Sequence, residues 1–123
     1  MAEGSEQNGL DVPVLHEHLL GEAFEHGPLG VIVFDESGNF LAANRRAAEV
    51  SGFGRGELLE LGSFGLCRGP EVGDRLREVV SGERTDGCAD LHCKDGTVKE
   101  VTYRLGPTRV SGLPFFVGVF WES

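Results

Sequence analysis

The spacing of hydrophobic residues predicts an amphipathic helix near the N-terminus. From about Pro13, apolar residues recur at helical spacing, and Gly27-Pro28 ends the pattern. We therefore expect a helix over residues 13–27, preceded by a polar, acidic and flexible tail over residues 1–12. The apolar stripe of this helix consists of Leu15, Leu19, Leu20, Ala23 and Phe24. Such a stripe requires a partner surface.

A β-branched apolar run after the helix predicts a hairpin. Residues 29–34 form its first strand and residues 39–43 its second, with an acidic, glycine-containing turn between them. Asn44 then has the side chain of a helix N-cap, and Gly52 is typical of a residue that ends a helix. The helix between them is predicted to cover residues 45–51.

The middle of the chain is rich in glycine. Residues 52–69 are predicted to form a loop wrapped closely around a core or ligand, with one helical turn at Glu57-Leu58-Leu59. Pro70 is expected at the first position of a further helix that ends at Ser81. The apolar face of that helix is Val72, Leu76, Val79 and Val80.

Three strands complete the pattern. They are predicted over residues 85–93, 97–105 and 113–121, with turns at Asp95-Gly96 and Ser111-Gly112. The order of helix, two strands, short helices and three strands indicates an α+β fold, with one domain over residues 28–123.

Composition narrows the functional classes. The 123 residues are 40% hydrophobic and 25% charged, which suits one globular domain. The net charge of −9 argues against binding to nucleic acid or to an anionic membrane. We expect neither a signal peptide nor a membrane span, and therefore a cytoplasmic location.

The three cysteines are expected to be free thiols. Their number is odd, and Cys88 and Cys93 lie on opposite faces of one predicted strand. A disulfide or a shared metal between those two would require distortion of the strand.

The order and spacing of several short motifs resemble the PAS sensor family over about residues 20–122. The matching residues are Asn44, Ala47, Ala48, Gly52 and Phe53, then Glu57-Leu58, Leu61-Gly62, Lys94-Asp95-Gly96 and Val117-Gly118-Val119. The resemblance implies a five-stranded antiparallel sheet with short helices on one face, enclosing a small cavity. It also implies a domain that senses a ligand or dimerises, and that signals to a partner or an attached effector.

Strand periodicity indicates which side chains face that cavity. Apolar residues at alternate positions share the inner face, whereas Asp90 and His92 point outward. The predicted pocket wall is Ile32, Phe34, Leu91, Tyr103, Leu105, Phe116 and Phe120. The alternative is that these residues fill a solid core that has no room for a ligand.

The sequence argues against the coloured cofactors of this family. Haem-binding members place a histidine on the helix before the third strand, and residues 70–81 contain none. The segment Leu66-Cys67-Arg68-Gly69 lacks the asparagine of flavin-binding members, which argues against FMN. A covalently attached chromophore at Cys67 would need tyrosine and glutamate donors where Ala43 and Ala47 stand. Any cofactor stays unidentified.

Metal binding and catalysis are also disfavoured. His18, Glu22 and His26 share a helical face, but Gly21 and the nearby helix end make a poor metal cage. The chain has no nucleophile elbow or phosphate-binding loop, so we expect no enzymatic activity.

Three functional hypotheses remain. The first is a sensory input domain that binds a small apolar ligand or responds through packing. The second is a ligand-free dimerisation module, with a homodimer formed through Leu15, Leu19, Leu20 and Phe24, unless Val31 and Val33 of the chain's own sheet cover that stripe. The third is a thiol redox switch through Cys67 on an exposed loop.

Overall fold

The computed structural model describes the backbone of residues 11–123 and the side chains of residues 16–123. The predicted tail therefore lies almost wholly outside the described residues, as does the side chain of Leu15. The first helix, α1, spans Asp11–His26, so it begins two residues earlier than predicted and ends one residue earlier. Within the described residues, no helix has the length and hydrophobicity needed to cross a membrane.

Five strands form one antiparallel sheet, and helices cover its inner face. The elements after α1 are β1 (Gly30–Phe34), β2 (Phe40–Ala43), α2 (Arg45–Ser51), α3 (Arg55–Cys67), α4 (Val72–Ser81), β3 (Asp86–His92), β4 (Val98–Val110) and β5 (Leu113–Glu122). The strand order is β2-β1-β5-β4-β3. This architecture confirms the predicted α+β class with a five-stranded antiparallel sheet.

The strand register places the large apolar side chains on one face. Phe34 pairs with Phe116, Ile32 with Gly118 and Tyr103 with Phe120, and paired residues point to the same side of the sheet. On β3, Leu91 is buried and Asp90 is exposed. The inward and outward faces therefore agree with the alternation read from the sequence.

Asn44 joins four segments of the chain. Its Oδ1 accepts hydrogen bonds from the backbone N–H groups of Val31 (2.9 Å) and Ala47 (3.0 Å). Its Nδ2 donates to the carbonyl oxygens of Leu29 (2.9 Å) and Phe24. The predicted N-cap of α2 is thus confirmed, and the same buried side chain ties the end of α1 to β1.

The predicted loop over residues 52–69 is wrong, because most of it forms α3. The N–H of Gly54 donates to the Glu57 carboxylate (2.8 Å) at the start of this helix, and Leu58 and Leu66 are buried on one side. Packing of these leucines overrides the low helix propensity of the glycines. Gly62 interrupts the helix with a left-handed backbone (φ 63°), which produces a kink.

The boundaries of two further elements differ from the predicted ones. Helix α4 begins at Val72, and Pro70 lies in the preceding turn rather than at the first helical position. Strand β4 runs to Val110, five residues beyond its predicted end, through Gly106 and Pro107. Because β4 pairs with β3 only as far as Arg104, Pro107 lies where the strand needs no donor on that side.

Candidate ligand cavity

A cavity of about 140 Å³ lies between the inner face of the sheet and helices α3 and α4. The sheet contributes one wall, and the helices contribute Leu66, Cys67, Val72, Arg75, Leu76 and Val79. Phe40, Ser63, Ala89, Val101, Gly118 and Val119 complete the lining. Most of these side chains are apolar, so the cavity offers an apolar environment to any occupant.

Six of the seven residues predicted for the wall line this cavity: Ile32, Phe34, Leu91, Tyr103, Leu105 and Phe120. Phe116 does not. Its ring stacks on that of Phe34, with centroids 5.6 Å apart and planes 22° from parallel. Phe116 therefore packs beside Phe34 on the inner face of the sheet, outside the lining of the cavity. That a ligand binds these residues stays a prediction.

Two glycines shape the sheet wall by close approach. A Cβ atom on Gly30 would lie 2.4 Å from Cζ of Phe120, so the Phe120 ring rests directly on the backbone of β1. A Cβ atom on Gly118 would lie 2.5 Å from Cδ2 of Leu105. The absence of a side chain at Gly118 therefore makes room for the side chain of Leu105 on the inner face.

The helix side of the cavity was missed by the sequence analysis. Leu66 lies in the segment predicted to be a loop, so its side chain had no assigned direction. Of the predicted apolar face of α4, Val72 and Val79 are buried and Leu76 is partly buried, and all three line the cavity, whereas the fourth residue, Val80, is exposed because it lies beyond the side of α4 that faces the sheet. Nothing in that spacing indicated that the face borders a cavity rather than a filled core.

Cys67 is not on an exposed loop, contrary to the sequence prediction. It is the last residue of α3, is partly buried and lines the cavity. Burial raises the pKa of its thiol to about 11, an effect that the positive charge of Arg75 partly offsets and that Asp90 reinforces. Little thiolate therefore exists near neutral pH, which disfavours redox chemistry at this residue.

Arg75 brings the only charged side chain among the described residues that line the cavity. It extends from α4 to the edge strand β3, where its Nη1 donates to the carbonyl oxygen of Cys88 (3.0 Å). The residues around it, Cys67 and Ala89, are half-buried. We call this end of the cavity, bounded by Cys67, Arg75 and Ala89, the mouth.

No histidine, asparagine or glutamine occurs among the described lining residues. His92 lies on the outer face of β3, opposite Val98. The lining therefore supplies neither an imidazole ligand for haem nor an amide side chain for the edge of a flavin ring. On α1, His18 pairs with Glu22 (3.0 Å) on an exposed surface, and the described residues contain no metal-binding group of three.

The apolar stripe of α1 is exposed. Leu19, Leu20 and Phe24 retain 57%, 47% and 54% of their accessible surface. The alternative in which Val31 and Val33 cover the stripe is therefore not what the structure shows. At its C-terminal end, α1 is held through the Asn44 hydrogen bond to Phe24 and through the Glu25–Arg55 salt bridge (2.6 Å).

Comparison with known proteins identifies the fold. The family model described as "PAS fold" matches residues 24–121, which is most of the chain. No curated protein sequence matches it.

Solved structures agree with the family match. The PAS domain of an HTR-like protein from Haloarcula marismortui superposes with a TM-score of 0.79 at 19% identity, covering 95% of this chain and 99% of that one. The PAS domain of a two-component sensor histidine kinase gives a TM-score of 0.78 at 13% identity, covering 90% and 99%. A domain of a sensory box sensor histidine kinase/response regulator from Geobacter sulfurreducens gives 0.70 at 23% identity, covering 85% and 92%. At these identities the likeness concerns the fold.

Proposed function

Because the chain belongs to the PAS fold family, we propose that it is a sensory input domain that binds a small, largely apolar ligand. Binding would change the packing of the sheet and helices, and this change would pass to a partner protein or an attached effector. The observation that carries the proposal is the apolar cavity of about 140 Å³ between sheet and helices.

The cavity volume limits the ligand. An engineered cavity of about 150 Å³ lined by Leu, Ile and Phe binds benzene, whereas drug-sized ligands occupy roughly 300–1,000 Å³. This cavity, at about 140 Å³, thus suits a ligand with one ring or a short branched chain. Haem and flavin are several times larger, so the volume supports the expectation that neither is bound.

The hydrogen bonds of Asn44 offer a route from the cavity to α1. Ile32 lies on the cavity wall, and the adjacent Val31 donates to Asn44. Asn44 in turn donates to the carbonyl oxygen of Phe24 in α1. A shift of β1 on ligand binding would therefore act on the hydrogen bonds that fix the end of α1.

Native mass spectrometry of the protein purified from its own host tests the proposal. We expect a retained small molecule, and we expect toluene to raise the melting temperature of ligand-free protein. In Ala89→Leu, a larger side chain at the mouth should reduce the toluene shift, while Val98→Leu on an exposed position should preserve it. The absence of both a retained molecule and a toluene-induced shift in the unmodified protein would refute ligand sensing.

A dimerisation module is the second candidate, and the exposed stripe Leu19, Leu20 and Phe24 favours it. In that case the core would act as a scaffold, and a second copy of the chain would cover the stripe. The two functions are compatible, since a ligand in the cavity could alter the orientation of α1.

The remaining hypotheses receive less support. A redox switch at Cys67 conflicts with the raised pKa of its thiol. We propose no catalytic role, and the acidic net charge of −9 still argues against nucleic acid and anionic membranes as partners. The cytoplasm remains the predicted location, with which three free cysteines are compatible.

A further inference from the structure

We propose that the ligand of the cavity is a small monocarboxylic acid, whose carboxylate binds Arg75 at the mouth while its apolar body fills the cavity. This inference rests on the proposed function, because it names the chemical class of ligand for the same cavity. It follows from the position, the hydrogen bonding and the electrostatic effect of one arginine.

Arg75 combines charge with contact to the cavity. Every other described lining residue is uncharged. Arg75 at the mouth is therefore the only ionic group among the described residues that a ligand inside the cavity would contact. An ammonium or other cationic group on the ligand would be repelled there. A ligand with an apolar body and one anionic group matches both parts of the site.

The guanidinium of Arg75 retains donors for a ligand. Of its five N–H groups, Nη1 donates to the carbonyl oxygen of Cys88 (3.0 Å). Arg75 forms none of the salt bridges between described side chains, whereas Arg55, Arg77 and Arg84 each pair with a carboxylate. The hydrogen bond to the carbonyl oxygen of Cys88 holds the guanidinium at the edge of β3. The N–H groups that remain lie in one plane, which suits the two oxygens of a carboxylate.

Burial disfavours an anion at this end of the cavity, but the charges that act there favour one. Two charges act on the thiol of Cys67, namely Arg75, which stabilises negative charge, and Asp90, which opposes it. The effect of Arg75 is the larger of the two. In a chain of net charge −9, this local positive site would select an anion only when the ligand also fits the apolar cavity.

Three small molecules of similar shape separate the charge from the apolar fit: benzoate, benzamide and toluene. Each is titrated into the ligand-free protein and its affinity is measured from NMR chemical-shift changes. We expect benzoate to bind at least about tenfold more tightly than benzamide, because charge-assisted hydrogen bonds to arginine are stronger than neutral ones.

Two arginine variants on the same helix form a matched pair. Arg75→Met removes the charge but keeps an apolar stem, and should weaken benzoate about tenfold while leaving toluene within about twofold. Arg77→Met removes an exposed charge that does not line the cavity, and should leave all three affinities unchanged. Unchanged toluene binding also shows that the Arg75→Met variant is folded.

The outcomes distinguish the two levels of the proposal. Equal affinities for benzoate and benzamide, or an unchanged benzoate affinity in Arg75→Met, would overturn the assignment of a carboxylate. If toluene still binds in that case, the apolar ligand site stands. If none of the three molecules binds the unmodified protein, the proposed sensing function fails together with the ligand class.

Discussion

Leu91 and Asp90 are adjacent on β3 but experience opposite environments. Leu91 is 2% exposed and lines the cavity, whereas Asp90 lies on the outer face. Leu91→Arg would bury an unpaired charge and should cost about 3–5 kcal/mol, while Asp90→Arg should change stability by about 0.5 kcal/mol or less. Thermal unfolding of the two variants tests this contrast. Equal melting temperatures would show that the faces of β3 are reversed.

The three cysteines should differ in reactivity for physical reasons that the structure makes explicit. Cys88 is exposed, Cys93 is buried, and burial raises the pKa of Cys67 to about 11. A raised pKa keeps the Cys67 thiol protonated at pH 8, so its reactive thiolate is scarce. Brief treatment with iodoacetamide at pH 8, followed by peptide mass mapping, should modify Cys88 first.

Unfolded protein supplies the control for this experiment, since all three thiols should then react at comparable rates. Modification of Cys67 as fast as Cys88 in the folded protein would contradict its placement on the cavity wall. It would also restore the redox-switch hypothesis, which needs an accessible thiolate.

Elements whose ends carry local signals were predictable from the sequence, and elements held by distant contacts were not. Asn44 and Gly52 define α2 to the residue, because a side-chain cap and a left-handed glycine act within one turn. Helix α3 was missed because its glycines disfavour a helix locally. Its buried residues Leu58 and Leu66 are stabilised by packing against the rest of the core.

Two glycines within α3 should respond oppositely to the same substitution. Gly62 has φ 63°, and a Cβ atom there would lie 3.1 Å from the carbonyl oxygen of Gly38. Gly62→Ala should therefore destabilise the fold by about 1–3 kcal/mol. Gly56 lies in the first turn with nothing within 4 Å of a Cβ atom. Gly56→Ala should be neutral or stabilising by up to about 1 kcal/mol. Denaturant unfolding measures the free energy of unfolding of both variants. If both lose similar stability, the left-handed backbone at Gly62 is not the cause of the loss.

Across the whole molecule, the sheet side of the cavity was accessible to sequence reasoning and the helix side was not. Alternation along the strands gives each side chain a direction, which is why Ile32, Tyr103 and Phe120 were assigned correctly to the inner face. The cavity itself depends on how far α4 lies from the sheet, and no local pattern encodes that distance. Arg75 illustrates the consequence, because its role at the mouth follows only from the contact with β3.

The exposed stripe of α1 makes a prediction about assembly. Burying Leu20 and Phe24 against a second copy would contribute roughly 1.5–3 kcal/mol for each side chain. The net charge of −9 opposes association, but salt screens that repulsion within about 8–10 Å. We therefore expect a dimer in sedimentation experiments at micromolar concentration. The double variant Leu20→Glu with Phe24→Glu should be a folded monomer, since both side chains are exposed within one chain.

Leu113→Glu provides the matched control, because Leu113 is also an exposed leucine but lies at the start of β5, whereas the residue of β5 that pairs with Gly30 next to α1 is Phe120. This variant should sediment like the unmodified protein, which separates loss of the α1 contact from the general effect of added negative charge. A dimer that survives the double substitution would place the interface elsewhere on the molecule. A protein that is monomeric across the micromolar range would leave α1 as a cover held to the core by Asn44 and by the Glu25–Arg55 salt bridge.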